Sequence, residues 1–252
     1  MGGQQVVTRG SDVLAYTVSY GNRSFLGKTV PAMRGTAGQW FDWVVYLGNP
    51  EPSLHADASC LLEDASHLGI QFLVEWPENR GQHHATAQAF AWARECGYKW
   101  LVRIDDDIKP RTKRWLKRMV TQLETLRKLA GDDHDRIVAA PKIVGLQHPL
   151  TPVGTLDVGQ NFPVDTMEIL GGGCRIHPVD FFEGFEPDIY APLGRKDPQQ
   201  IAHHTLKNKG VLVRFPNIRV EHHTTRLEAE DDEHAKHARN MGHYWCYLGE
   251  EV

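Results

Sequence analysis

Apolar runs of strand length alternate with helix-length segments through the first 104 residues, and this alternation restricts the possible folds more than any other feature. Asp12 to Val18 (DVLAYTV) is an apolar run ending in the turn residues Ser19-Tyr20-Gly21-Asn22, and Trp43 to Leu47, Ile70 to Val74 and Trp100 to Ile104 are further strand-like runs. Between them, Phe25, Leu26, Val30 and Met33 recur at helical spacing behind the N-cap Ser24, with Pro31 expected to shorten or bend the helix. Ser53 to Leu68 places Leu54, Ala58, Leu61, Leu62, Ala65 and Leu68 on one helical face and stops at Gly69, and Ala85 to Cys96 is an Ala-rich helix closed by Gly97. The order is β-α-β-α-β-α-β. Strands joined by helices of this length are linked by right-handed crossovers into a mostly parallel sheet, which binds ligands at the carboxyl ends of its strands.

One further amphipathic helix, about Arg111 to Ala130, turns Trp115, Met119, Leu123 and Leu126 to one side and Lys113, Arg114, Lys117 and Arg118 to the other. From Gly131 turn residues become dense, and the strand-like runs Ile137 to Ala140, Thr166 to Leu170 and Val211 to Phe215 lose their alternation with helices. The expectation is a single α/β domain over 1–252, with a regular ligand-binding half over about 1–108 and an irregular half over about 131–252. No stretch reaches the roughly 18 apolar residues needed to cross a bilayer, and residues 1 to 10 have no apolar core of the kind that marks export. Cys60, Cys96, Cys174 and Cys246 form no CxxC pair, so they are read as reduced thiols of a cytoplasmic protein, in the host cytoplasm if the chain is viral. A net charge of -4 excludes a surface that is basic throughout.

Asp105-Asp106-Asp107 follows the fourth strand directly. Three adjacent carboxylates repel one another unless a cation or solvent offsets them, and hard oxygen ligands at a strand end suit Mg²⁺ or Mn²⁺ with positions left for substrate phosphates. An acidic triplet can also be a solvated turn that complements a helix dipole; its place after the fourth strand favours the metal reading.

Together with this triplet, VLAYTVSYGNR (13–23), Glu78-Asn79-Arg80-Gly81 before the Ala-rich helix, and Leu170-Gly171-Gly172-Gly173-Cys174-Arg175-Ile176 followed by Gly184-Phe185-Glu186-Pro187-Asp188 resemble the nucleotide-sugar glycosyltransferases of the GT-A fold, family 2 type. The resemblance implies a Rossmann-like mostly parallel sheet flanked by helices. It implies donor contacts from Tyr20, Asn22, Arg23, Asn79, Arg80, Asp105 and Asp106, with Asp105 near the ribose and Asp107 on the metal. It places Gly172, Gly173 and Asp188 on the acceptor side. It makes Asp197, ahead of QQIAHHTLKNKG, the general base of an inverting transfer, although Lys196 stands where the family has an acidic residue; Glu183, Glu186 and Asp188 are the fallback bases. Asp197 before Pro198 also reads as an ordinary helix start.

Ile218-Arg219-Val220-Glu221-His222-His223 is similar to a late strand whose His reaches back to the metal, and His222 is preferred to His223. The family's acidic residues after the second strand are replaced by Tyr46-Leu47-Gly48-Asn49-Pro50, so Asn49 is the remaining base contact and a UDP-sugar is expected without the base being fixed. The run from Lys109 to Arg118 has two readings, a solvated helix face or a track for a phosphate backbone through Arg111, Lys113, Arg114, Lys117 and Arg118. The acceptor is accordingly a glycan or, by resemblance to phage-type enzymes, a hydroxymethylated base in DNA, which would have to be flipped out of a duplex. No obligate protein partner is indicated. The rival classes are a Mg²⁺-dependent nucleotidyltransferase, for which Tyr20-Gly21-Asn22-Arg23 is a poor phosphate loop, and a non-catalytic carbohydrate- or nucleic-acid-binding module, which would leave the triplet unexplained.

Overall fold

A computed structural model describes residues 10–20, 26–48, 70–76, 80–131, 136–145, 150–158, 162–186 and 197–222. The helix expected over 53–68 lies outside them. In the first half of the chain, β1 (Val13–Tyr20), α1 (Leu26–Thr36), β2 (Asp42–Gly48), β3 (Ile70–Trp76), α2 (Gly81–Glu95) and β4 (Trp100–Ile104) follow the expected alternation. Next come β5 (Ile108–Pro110), α3 (Trp115–Ala130), β6 (Ile137–Val144), β7 (Gly154–Asp157), β8 (Pro163–Met167), β9 (Cys174–Pro178), α4 (Asp197–Lys207) and β10 (Val211–His222).

The ten strands among the described residues form one sheet, nine in the order β3-β2-β1-β4-β9-β6-β10-β8-β7 with β5 pairing β10. β3, β2, β1 and β4 are parallel throughout. β9 is antiparallel to both β4 and β6, and β6 is parallel to β10, so β1, β4, β6 and β10 all end at the same edge. The first residue of β9 is at that edge too, because Cys174 is in register with Ile104.

The pleat sends alternate residues to two cores. Val13, Ala15, Trp43, Val45, Val102 and Ile104 pack with α1 (Val30, Met33) and α3 (Trp115, Met119, Leu123). Leu14, Tyr16, Val44, Tyr46 and Leu101 pack with α2 (Ala85, Ala89, Phe90) and with Ile201 of α4. Helices thus cover both faces, which is why β4 is buried at every position. α1 continues through Pro31 at the loss of one intrahelical hydrogen bond, and the complete burial of Val30 and Met33 offsets that loss. No helix among the described residues is long and apolar enough to cross a membrane.

β5 and β7 are not expected from the sequence, the strand-like run Thr166 to Leu170 is shifted to β8 (Pro163–Met167), and two further elements differ from expectation. α3 starts at Trp115 instead of Arg111 because β10 claims the preceding backbone: Arg111 and Thr112 donate their N–H groups to the Arg219 carbonyl, and Thr112 Oγ1 accepts the Arg219 N–H at 2.8 Å. Arg114 then takes a left-handed conformation (φ 59°) against Gly38, where a Cβ would lie 2.7 Å from that of Arg114. β9 was legible only as part of a glycine-rich stretch, since CRIHP carries Arg175 and His177 where a central strand normally carries hydrophobes.

At the opposite edge of the sheet, the fully buried Asp42 ties the first half of the chain together. Its carboxylate accepts hydrogen bonds from Gly10 N (3.0 Å), Trp40 Nε1 (3.2 Å), Gln71 Nε2 (2.7 Å) and Tyr98 Oη (2.8 Å). Removing it leaves the buried Tyr98 hydroxyl and three partly buried donors without their acceptor, so Asp42→Ala is expected to lower unfolding free energy by about 3 kcal/mol, and Tyr98→Phe by about 1 kcal/mol. Urea denaturation of the two variants checks the ranking, and equal midpoints for Asp42→Ala and the wild type would refute it.

Candidate active site at the carboxyl edge of the sheet

The turn after β4 holds its three carboxylates in three different environments. Asp105 donates its backbone N–H to the Gly173 carbonyl (2.8 Å), and its Oδ1 accepts from Arg103 Nε (2.9 Å). Asp106 turns inward: its Oδ2 accepts from Ser19 Oγ (2.6 Å) at the end of β1, and its carbonyl accepts from Thr29 Oγ1 (2.6 Å) of α1. Asp107 is half-buried at the end of the turn, directly before β5. Separate donors to Asp105 and Asp106 offset part of the repulsion among the three consecutive carboxylates.

Other expected site residues reach the same edge. Tyr20 closes β1, and Arg80, exposed, immediately precedes α2 with its guanidinium 6.0 Å from the Trp76 ring. Gly172 and Gly173 precede β9, so the glycine run is hydrogen-bonded to the Asp triplet. Gly173 has a packing reason, since a Cβ there would come within 3.0 Å of Ile108 Cδ1. Gly172 has room for one, at 3.7 Å from Pro198 Cγ and 3.9 Å from Arg103 Nη2. That proximity places the first turn of α4, which Asp197 opens, beside the glycine run and the Arg103–Asp105 pair.

His222 ends β10 in antiparallel register with Ile108, one residue beyond Asp107. Strand pairing therefore brings the His222 backbone next to the triplet from more than a hundred residues away in sequence. Asn22, Arg23, Asn49, Asn79, Asp188 and His223 lie outside the described residues. The fallback bases Glu183 and Glu186 are exposed just past Asp180–Phe182, a single 3-10 turn.

The basic run divides in two. Lys109 and Arg111 both pair with Glu221, at 2.7 Å for Lys109. Burial pushes the Glu221 carboxyl up, but the hydrogen bonds from Lys109 and Arg111 outweigh it and hold the group below its ordinary range. Lys113, Arg114, Lys117 and Arg118 are exposed, and Lys117 N–H caps the Ala37 carbonyl at the far end of α1. Thr29, which holds the Asp106 carbonyl, and Ala37, just past α1, are eight positions apart, a helical rise of about 12 Å between this group and the acidic turn.

Hard carboxylate oxygens at a strand end, with a histidine-bearing strand paired alongside, fit a divalent cation of the Mg²⁺ or Mn²⁺ type. Among the described residues no three His, Cys, Asp or Glu side chains already converge to liganding distance. Cys174 is no nucleophile: burial, with Asp105 nearby, drives its thiol far above the normal range.

Three residues that shape the turn, Arg103, Ser19 and Thr29, were not singled out from sequence. Arg103 did leave a signal, as the lone charge in an apolar strand buried on both faces.

The parallel β3-β2-β1-β4 half, the mixed second half and the acidic turn between them define a GT-A type fold. Among solved structures, the chain is similar to the crystal structure of GalNAc-T7 with UDP, GalNAc and Mn²⁺ at a TM-score of 0.61 and 13% identity, covering 83% of this chain and 43% of that one. It is also similar to S. aureus TarS at a TM-score of 0.57 and 13% identity, covering 92% of this chain and 43% of that one. The chain spans less than half the length of either. No protein-family model and no curated protein sequence matches it.

α4 is docked by an aromatic cluster. His204 stacks on Phe182 (4.8 Å, 25°), meets Phe185 edge-on (4.9 Å), and its Nε2 lies 3.3 Å from the Phe181 carbonyl. Burial lowers the His204 pKa, with His203 and Lys207 acting the same way and the Phe181 hydrogen bond opposing. A depressed folded-state pKa means stability that is present above the unfolded value, about 6.5, and lost as pH falls through the folded one. Denaturation at pH 7.5 and 5.5 should therefore show a smaller pH-dependent loss for His204→Phe than for the wild type. Identical losses would remove His204 from this role.

Proposed function

We propose that the protein is a metal-dependent glycosyltransferase that moves a sugar from a nucleoside-diphosphate sugar to an acceptor hydroxyl. The observation that carries this reading is the convergence of the acidic turn, the end of β1, the glycine run, the start of α4 and the end of β10 on one sheet edge. The GT-A type fold supports it, as does a structural neighbour solved with UDP, GalNAc and Mn²⁺.

In this reading Asp107 and Asp105, with His222, hold the cation, and Asp105 also faces the donor ribose. When bound, the cation supplies positive charge against the diphosphate, which lowers the energy of its departure. Tyr20, Asn22, Arg23, Asn49, Asn79 and Arg80 are the proposed donor contacts, for a UDP-sugar whose base these residues do not fix. Asp106, anchored to Ser19 and Thr29, keeps the turn in shape beneath the donor.

Asp197 is the proposed general base. It takes the proton of the acceptor hydroxyl as that oxygen bonds to the anomeric carbon. The anomeric bond to the diphosphate breaks on the opposite face, its electron pair leaves with the nucleoside diphosphate, and the configuration inverts. Gly172, Gly173 and Asp188 form the acceptor side.

With Mn²⁺ and a panel of nucleotide sugars, slow donor hydrolysis without acceptor is expected, falling at least about 100-fold in Asp107→Ala. Asp197→Asn should keep donor binding and lose transfer by roughly 10²–10⁴-fold. A panel showing neither donor binding nor turnover contradicts the reading, and unchanged transfer in Asp197→Asn removes that residue from the role.

The four exposed cations at the start of α3 fit either a solvated helix face or a phosphate-backbone track, so the acceptor is a glycan or a hydroxymethylated base in DNA. Glycosylation and gel-shift assays on plain and hydroxymethylated duplexes decide this. The DNA reading predicts salt-sensitive binding that is weakened by Arg114→Glu and Lys117→Glu, whereas transfer to simple glycans with no duplex binding rejects it.

A further inference from the structure

We infer that Arg103 is a positioning residue for Asp105, acting as a strut between α2 and the acidic turn. The inference rests on the function proposed above and adds to it a residue with no part in that reading.

Arg103 is the only charged residue of β4 and is 2% exposed, between the apolar Val102 and Ile104. Its side chain lies on the face of the sheet that packs on α2, the same face as Leu101 and Asp105 by the two-residue period of a strand. The core does not require a charge there, since the neighbouring positions of β1 on that face are Leu14 and Tyr16. The guanidinium is engaged at both ends. Nε donates to Asp105 Oδ1 at 2.9 Å and Nη2 donates to Gln82 Oε1 at 2.6 Å, and Gln82 belongs to the first turn of α2.

A guanidinium presents its donors in a fixed plane, so these two bonds set the direction of the Asp105 carboxylate relative to α2, which a flexible ammonium would not do. The backbone of Asp105 is fixed separately by Gly173. Arg175, fully buried, is opposite Arg103 in the β4–β9 register, and repulsion between the two cations further favours Arg103 reaching toward the carboxylate. With Oδ1 held, and a quarter of its side-chain surface still exposed, Asp105 has its Oδ2 for the donor–metal complex. Partners that orient a metal ligand in this way typically alter affinity 10- to 100-fold when removed.

The test is Mn²⁺ affinity, read by electron paramagnetic resonance on the full chain alone and with a panel of nucleoside diphosphates. Circular dichroism serves as the fold control. Arg103→Met is expected to weaken Mn²⁺ binding about 10- to 100-fold, and Arg103→Lys nearly as much, because charge without the planar fork does not orient the carboxylate. Gln82→Leu, at a half-buried helix position that should not threaten folding, is expected to weaken it by roughly threefold to tenfold. The Arg103→Met/Asp105→Asn double variant should bind no more weakly than Asp105→Asn alone.

Wild-type affinity in folded Arg103→Met, Arg103→Lys or Gln82→Leu overturns the inference, as does full additivity in the double variant. If the wild type itself binds no Mn²⁺ with any nucleoside diphosphate, the metal-dependent function fails and this role falls with it, a result distinct from an indifferent Arg103.

Discussion

Three carboxylates on consecutive residues repel one another, and the structure around the β4 edge is organised to hold them apart. Asp105 is paired with Arg103, Asp106 is drawn inward by Ser19, and the backbone between them is fixed by Gly173 and Thr29. The partners come from several parts of the chain, so the acidic turn is held by contacts from β1, α1, β4 and the glycine run together. The second half of the sheet meets the same turn through β5, whose three residues pair with β10 and bring His222 alongside Ile108.

That dependence explains which parts of the architecture are legible in the sequence. β1 to β4 and α2 rest on local apolar periodicity, and α3 has an apolar stripe from Trp115 to Leu126. β5 is too short to show a pattern, and β9 conceals itself by placing Arg175 and His177 inside a central strand. Their pairing comes from long-range register, which no window of neighbouring residues records. The displaced start of α3 has the same origin, because the N–H groups that would have begun the helix are bonded to the Arg219 carbonyl.

The site follows the same division. The triplet is visible because adjacent acids after an apolar strand are chemically unusual. The glycine run and the start of α4 are visible through resemblance, and the packing of Gly172 near Pro198 then gives them a common location. Arg103 reads in sequence as one charge in a strand, and its role emerges only from the two hydrogen bonds it makes on the buried face. Gly173 shows the converse: a glycine expected to admit a sugar is also required by Ile108.

The central claim is that the turn after β4 binds a divalent cation together with a nucleoside diphosphate. Crystals of the protein grown with Mn²⁺ and UDP, measured at the manganese absorption edge, test it most directly. The account predicts an anomalous peak about 2.2 Å from a carboxylate oxygen of Asp107, shared with the diphosphate. No peak at this edge, with Mn²⁺ and nucleotide bound elsewhere or not at all, would contradict it.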